Sequence, residues 1–372
     1  MILDNSWRVL LLALALLFEV AASAVYYTVS RAYFADILGS DSYSFIVLVS
    51  AIEVCVGLIG PLAGYLGDVY GRWLLASIGF IRLPLLPLIP LLDGFNVLPI
   101  ILLYSLASTV FWSNTLGYIL EARWGSAIFY AKATILLTLG WALGSLAPGV
   151  LRLFMGYNDI FIVLGLTYVI PPILAVYAVI GSGRNLNSKP SKSLKLTINI
   201  TIGLFISLIA LVAGLNIFWS IFSIKLYYEL NRNILVYGLI SGTLPALVSA
   251  IIRPIAGLAV DKFGEKRILV YTIIAYIIYS LLVYNSSGLI LAILWLIPIY
   301  PFKDIAQTMY ISKRLPPELQ ATAAGILTQI NSISSLLNII AYPIVENYGL
   351  LGGLAVNIIL LTLSVVILVR LN

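Results

Sequence analysis

One stretch of this chain is written twice. Gly64-Tyr65-Leu66-Gly67-Asp68-Val69-Tyr70-Gly71-Arg72 returns as Gly257-Leu258-Ala259-Val260-Asp261-Lys262-Phe263-Gly264-Glu265, with Lys266 and Arg267 following. The copies stand about half of the 372-residue chain apart, and each follows an apolar run through a proline, Pro61 or Pro254, and leads into another apolar run. A loop repeated at that offset points to a duplicated domain. In a chain this apolar it points to a membrane protein built from two similar helix bundles.

Hydrophobic residues make up 62% of the sequence and charged residues 10%, against roughly a quarter charged in soluble domains. We count about twelve charge-poor runs, each of roughly 20 residues or more and so able to cross a hydrocarbon core of about 30 Å as a helix. They lie near 7–36, 43–67, 72–92, 97–120, 127–154, 158–181, 197–228, 234–258, 267–284, 288–312, 321–345 and 349–370. Period-two alternation is missing, which argues against a barrel. The expected fold is an all-α polytopic membrane protein with two pseudo-symmetric six-helix bundles, 1–181 and 197–372. They are joined by a polar, basic, Pro/Ser-rich linker at 182–196. The first run holds Glu19 and Arg31 without a small-residue cleavage site, so it reads as a span and not as a signal peptide.

The basic residues set the orientation. With the N-terminus inside, the inner side carries Arg8, Arg72, Arg123, Lys132, Arg184, Lys189, Lys192, Lys195, Lys262, Lys266, Arg267, Lys313, Arg314 and Arg370. The outer side carries only Arg31, Arg152, Lys225 and Arg232. By the positive-inside rule, both termini, the linker and both repeated loops face the cytoplasm. The net charge of +6 is therefore a topology signal and not a nucleic-acid signal. The single cysteine, Cys55, excludes an intrachain disulfide, and the lack of histidine removes the commonest metal ligand and leaves carboxylates to carry any proton relay. No phosphate-binding loop of the Gly-x-x-x-x-Gly-Lys-Ser/Thr kind is present, so ATP is not expected to drive the protein. No cofactor, metal or enzymatic activity is expected.

The repeated loop resembles the cytoplasmic loop signature of the major facilitator superfamily, Gly-x-Leu-Ala-Asp-x-x-Gly-Arg-Lys/Arg, at the two places where that family carries it. Arg314-Leu315-Pro316-Pro317-Glu318-Leu319-Gln320-Ala321-Thr322-Ala323-Ala324-Gly325 resembles the start of that family's span eleven, and Glu121-Ala122-Arg123 the end of its span four. The first copy has Gly67 for alanine and Trp73 where a second basic residue is usual. The second has Glu265 where arginine is usual. The resemblance implies a conformational latch made of Gly64, Asp68, Gly71, Arg72, Gly257, Asp261, Gly264, Lys266 and Arg267. In it Asp68 serves the start of span eleven and Asp261 the start of span five, because helix N-termini attract anions. It also implies that spans one and ten line a cavity and that span three is peripheral; spans four and seven supply uncharged polar groups and aromatics.

Ionisable groups within spans are functional candidates by default. Glu19, Glu53 and Arg82 fall near one depth of the first half. Glu53 with Arg82 is expected to be a structural ion pair, and Glu19 the leading proton-coupling carboxylate, followed by Glu53 and Asp304. Glu19, Ser23, Tyr26, Tyr27 and Ser30 share one face of span one. Tyr26, Tyr27, Arg31, Ser108, Trp112, Asn216, Trp219, Tyr300, Lys303 and Gln307 are the candidate cavity residues, with Lys303 offered to an anionic group. Lys303 and Asp304 are adjacent and point about 100° apart. Arg253 reads as an interfacial structural arginine.

The expected function is secondary active transport of a small organic solute by alternating access, coupled to protons, by a monomer in the cell membrane. Gly140-x-x-x-Gly144-Ser145-Leu146-Ala147-Pro148-Gly149 partly resembles the span-five signature of drug-exporting members and tips the direction to export. Uptake of a sugar, organic acid or other nutrient by symport is the first alternative. A non-transporting membrane sensor on the same fold is the second.

Overall fold

The computed structural model describes residues 6–38, 49, 52–53, 55–122, 124–180, 202–230, 236 and 239–371. The linker predicted at 182–196 lies outside them. Among the described residues every regular element is helical. In chain order they are α1 (Ser6–Leu38), α2 (Gly60–Tyr70), α3 (Arg72–Leu91), α4 (Leu98–Ala122), α5 (Ala127–Leu151), α6 (Tyr157–Ala178), α7 (Ile202–Glu229), α8 (Leu244–Phe263), α9 (Glu265–Asn285) and α10 (Gly288–Ser312). The stretch Gln320–Arg370 breaks at Gly349 (φ 56°, ψ −140°) into α11 (320–346) and α12 (Asn347–Arg370). Ten of the described helices are long and apolar enough to cross a membrane. The other two, α2 and α11, occupy the remaining predicted spans, and the fold is the twelve-helix, two-bundle one.

The repeated stretch is mostly helix. Asp68 sits in the last turn of α2 and Asp261 in the last turn of α8. One residue makes each corner: Gly71 at φ 107° and Gly264 at φ 85°. A side chain at positive φ is strained, so the glycine written at the same place in both copies is what lets one helix stop and the next begin immediately.

Contacts group the chain into two compact units. The first comprises Met1–Trp124, Ala133–Lys189 and Leu315–Gln329; the second comprises Gly125–Lys132, Pro190–Arg314 and Ile330–Asn372. In the first unit α5 lies directly on α1, where a Cβ on Gly140 or Gly144 would strike the carbonyls of Leu17 and Ala21. Small residues let helices approach closely where lipid removes the hydrophobic driving force. This packing accounts for the glycine stripe without reference to transport direction. The unit's core joins Tyr26, Tyr33, Leu86, Ile89, Phe161 and Tyr168. The second unit has an aromatic core in which Phe218 stacks on Trp295 (centroids 6.0 Å apart, planes at 19°) and touches Phe222 and Tyr279.

Candidate functional site

The first unit holds a cavity of about 200 Å³. Glu19, Ser23 and Tyr27 of α1, Glu53, Thr328 of α11, and Tyr104, Ser105, Ser108, Thr109 and Trp112 of α4 line it. Positions 105, 108, 109 and 112 follow the i, i+3, i+4, i+7 spacing of one helix face. Three hydroxyls and an indole are thus presented together, and the charged groups come from other elements.

Arg82 supplies the charge behind this wall. It follows the 3-10 turn Ile78–Ile81 in α3, and its Nε donates to the Gly79 carbonyl at 3.0 Å. The guanidinium is fully buried between the rings of Tyr168 (4.4 Å to the centroid) and Phe111 (4.9 Å). Its Nη1 donates to Glu19 Oε1 in an ion pair, and to Ser108 Oγ at 3.3 Å. The expected partner Glu53 is not the one chosen. Arg82 points across to α1 and away from the neighbouring helix of its hairpin, so at this depth α3 is central to the unit's polar interior. Glu53 accepts from Tyr26 Oη at 3.0 Å. Tyr26, predicted to face the cavity, is instead completely buried, its ring 4.3 Å from that of Tyr104. Tyr104 Oη lies 2.6 Å from Tyr168 Oη, which lies 3.1 Å from Ser23 Oγ. Glu19 Oε2 and Ser105 Oγ are buried without a hydrogen-bond partner.

The second unit has its own buried charge cluster. Arg253 of α8 is 4% exposed and donates to Asp304 Oδ2 of α10 at 2.7 Å. It is a buried counter-ion to Asp304. Proline at the next position, Pro254, lies inside α8. Lys303 Nζ sits 5.6 Å from the centre of the Tyr300 ring, while Asp304 turns to Arg253, as adjacent helical positions require. Gln307 is buried with Oε1 unpartnered. Asn216 donates to Ser335 Oγ at 3.3 Å and so joins α7 to α11, and Trp219 packs edge-on against Trp295. The side chain of Arg31 lies outside the described residues.

The two repeated aspartates each meet a helix N-terminus. Asp68 Oδ2 accepts from the Thr322 backbone N–H at 2.9 Å and from Thr322 Oγ1 at 2.8 Å, at the start of α11. Asp261 accepts from the backbone N–H groups of Ala127 (2.8 Å) and Ile128 (2.9 Å), at the start of α5. Close backbone approach supports both. A Cβ on Gly64 would overlap the Ala321 carbonyl, and one on Gly257 would lie 2.7 Å from Ile128 Cα. Arg72 donates to Asp68 Oδ1 through Nε at 2.9 Å and Nη2 at 2.6 Å, and pairs with Glu121 through Nη1. Lys266 turns elsewhere, to the terminal carbonyl region of α12 at Leu371, and Arg267 is exposed. Sequence reasoning misses Thr322; a hydroxyl in the first turn of a helix facing an anion is the signal that marks it.

A duplicated bundle of membrane-crossing helices with charged groups in its interior defines a polytopic solute-handling membrane protein. The comparisons name its kind. The profile of the Major Facilitator Superfamily matches residues 11–339, and the chain belongs to that family of transporters. Among solved structures, it is similar to the human organic anion transporter MFSD10 (TETRAN), with TM-score 0.73, 15% identity, and 98% of this chain and 100% of that one covered. It is also similar to a point variant of the E. coli fucose:proton symporter FucP, with TM-score 0.71, 12% identity and 98% of each chain covered. A point variant of the nucleoside transporter NupG matches with TM-score 0.62, 17% identity and 98% of each chain covered. At these identities the likeness is one of fold. Comparison with curated proteins finds no match. The chain is thus a multi-pass membrane transporter and not an enzyme.

Proposed function

We propose that this transporter couples movement of a small organic solute to protons, with Glu19 as the coupling carboxylate. One observation carries the reading: Glu19 stands in the cavity wall with one oxygen ion-paired to buried Arg82 and the other without a hydrogen-bond partner. Protonation would release Glu19 from Arg82 and give the carboxyl a donor; deprotonation would restore the pair. The charge state of one side chain then decides how α1 is tied to α3 while solute occupies the same cavity, which is what coupling requires. Buried charges are costly when uncompensated, so a solute that disturbs the Glu19–Arg82 pair would also alter proton binding at Glu19. The fucose:proton symporter among the similar structures fits this reading. Asp304, already tied to Arg253, is the second candidate.

In the proposed cycle the halves 1–181 and 197–372 alternate between states open to opposite sides of the membrane. Both termini and the linker face the cytoplasm, and the Asp68 and Asp261 contacts belong to the state closed on that side. The monomer is the working form. Uptake by symport and export by antiport use the same parts, and the α5 glycine stripe, once assigned to packing on α1, does not decide between them.

Liposomes with an imposed pH gradient test the coupling. Glu19→Gln mimics the protonated carboxyl. It should retain solute exchange without a gradient and lose gradient-driven accumulation or extrusion. Full gradient-driven transport by Glu19→Gln would remove Glu19 from the role and make Asp304→Asn the next variant.

A further inference from the structure

A buried arginine must stay compensated at every step of a cycle that neutralises its partner. Arg82 is fully buried, and Glu19 is the one carboxylate it pairs with among the described residues. Glu53, the other acid on the cavity wall, accepts from Tyr26 Oη instead. A proton taken up by Glu19 removes the counter-charge, and a buried cation left bare is costly. We infer that Tyr168, with Phe111 opposite, holds the Arg82 cation while Glu19 is protonated, so that Arg82 stays charged and in place and the charge change is confined to Glu19. Tyr168 is then the positioning residue of the pair, a role that rests on Glu19 being the coupling carboxylate.

The guanidinium has two kinds of support that do not depend on Glu19. Nε donates to the Gly79 carbonyl at 3.0 Å and Nη1 to Ser108 Oγ at 3.3 Å. These bonds set the plane of the group, but neither partner carries a charge. The ring faces supply the rest. Arg82 Cζ lies over Tyr168 at 4.4 Å from its centroid and over Phe111 at 4.9 Å. Both distances are inside the roughly 6 Å over which the negative face of a ring attracts a cation. Both rings are completely buried, and that attraction grows when the cation is desolvated.

Three helices build this box. Tyr168 follows the first stretch of α6, Tyr157–Thr167, just before Pro171 and Pro172, which lack the N–H groups that would continue the ladder. Pro172 stands one turn beyond Tyr168 and borders the same space. A Cβ on Gly79 of α3 would lie 2.8 Å from Pro172 Cγ, 2.9 Å from Arg82 Nη2 and 3.1 Å from Phe111 Cδ2 of α4. The room a side chain would take at position 79 is therefore filled by the cation and its walls. The Tyr168 ring is itself pinned. Its hydroxyl lies 2.6 Å from Tyr104 Oη on α4 and 3.1 Å from Ser23 Oγ on α1, one turn from Glu19. Protonation of Glu19 breaks neither contact, so the ring keeps its place over Arg82 after the carboxylate lets go.

A mutant cycle on the full-length protein purified in detergent tests this handover without any solute. The midpoint of thermal unfolding is measured for Tyr168→Leu and Tyr168→Phe in three backgrounds. These are the native chain, Glu19→Gln, which removes the counter-charge, and Arg82→Met, which removes the cation. Tyr168→Leu should lower the midpoint in each through lost packing. The fall should be greatest with Glu19→Gln, by about 2 °C beyond the native background, and least with Arg82→Met. Tyr168→Phe keeps the ring and should lose less, by the same amount in all three. Phe111→Leu repeats the measurement at the other face should Tyr168→Leu with Glu19→Gln not give folded protein. Equal falls in the three backgrounds would make Tyr168 a packing residue and overturn the inference, with Glu19 still free to couple. Unequal falls together with full gradient-driven transport by Glu19→Gln would keep Tyr168 as the residue that holds Arg82 and remove the coupling role alone.

Discussion

The two copies of the repeated corner solve one problem with opposite charges. In the first, Arg72 opens α3 and pairs with Glu121 at the end of α4; in the second, Glu265 opens α9 and pairs at 3.2 Å with Lys313, just past the end of α10. Helix N-termini favour anions and C-termini favour cations. The second pair agrees with both helix dipoles. The first opposes both, and it persists because Arg72 also neutralises Asp68, which is buried with it. The aspartate and the positive-φ glycine are what the copies share. An N-terminal cap needs an acceptor oxygen, whatever the sign of its neighbours, so the cap is compatible with an ion pair of either polarity beside it.

The largest expected break in this comparison comes from removing the cation of the first copy. Arg72→Leu leaves Asp68 and Glu121 uncompensated, a loss of about 3–5 kcal/mol by the behaviour of buried pairs stripped of one partner. Glu265→Leu breaks a pair that is 20% and 30% exposed and should cost about 1 kcal/mol or less. Thermal and denaturant unfolding of the purified variants would rank them. Equal losses would mean that burial does not separate the two copies.

A smaller effect is expected from the aspartates. Asp68→Asn weakens charge-assisted hydrogen bonds to Thr322, worth about 1.5–3 kcal/mol. Asp261→Asn at an exposed helix start should cost about 0.3–1 kcal/mol, and less at high salt. Both should shift populations toward the cytoplasm-open state, Asp68→Asn further. Distance distributions between spin labels on cytoplasmic helix ends measure this. Unchanged populations in both variants would reduce the aspartates to structural caps.

The smallest effect sharpens the dipole argument. Exchanging the second pair, Glu265→Lys with Lys313→Glu, keeps the attraction and sets both charges against their helices, at about 0.3–1 kcal/mol for each end. A double-mutant cycle separates the pair from the dipole. A double variant more stable than the native protein would show that the helix ends do not govern the polarity.

The duplication is legible because it is written in the chain, and the spans because a run of apolar residues long enough for lipid has few other fates. The site is legible in part. The candidacy of Ser108 and Trp112, and the placing of Glu19 inside the first half, follow from residue type and span position. The partners do not. Span position pairs Arg82 with Glu53 in its own hairpin, whereas the guanidinium reaches Glu19 on α1. Spacing puts Tyr26 in the cavity with Tyr27, whereas its ring packs against Tyr104 behind it. Span position gives Arg253 no partner, whereas the structure pairs it with Asp304. Helical periodicity assigns a residue to a face of its own helix, but several faces are buried in a bundle, and periodicity does not say which of them meets which neighbour.

By itself, then, the sequence determined that this chain is a duplicated bundle of membrane helices, where the helices turn, and which few polar groups must be accommodated inside. Each of those follows from a cost paid locally: apolar surface in water, a backbone angle only glycine tolerates, a charge taken into lipid. Only the tertiary structure decided which carboxylate balances which arginine, which hydroxyls share a cavity with them, and which residues pair with Arg72 at one corner and Glu265 at the other. Those outcomes depend on distances of a few ångströms between residues far apart in the chain, where the energy of a pair is set by its burial and geometry as well as by the identity of its partners.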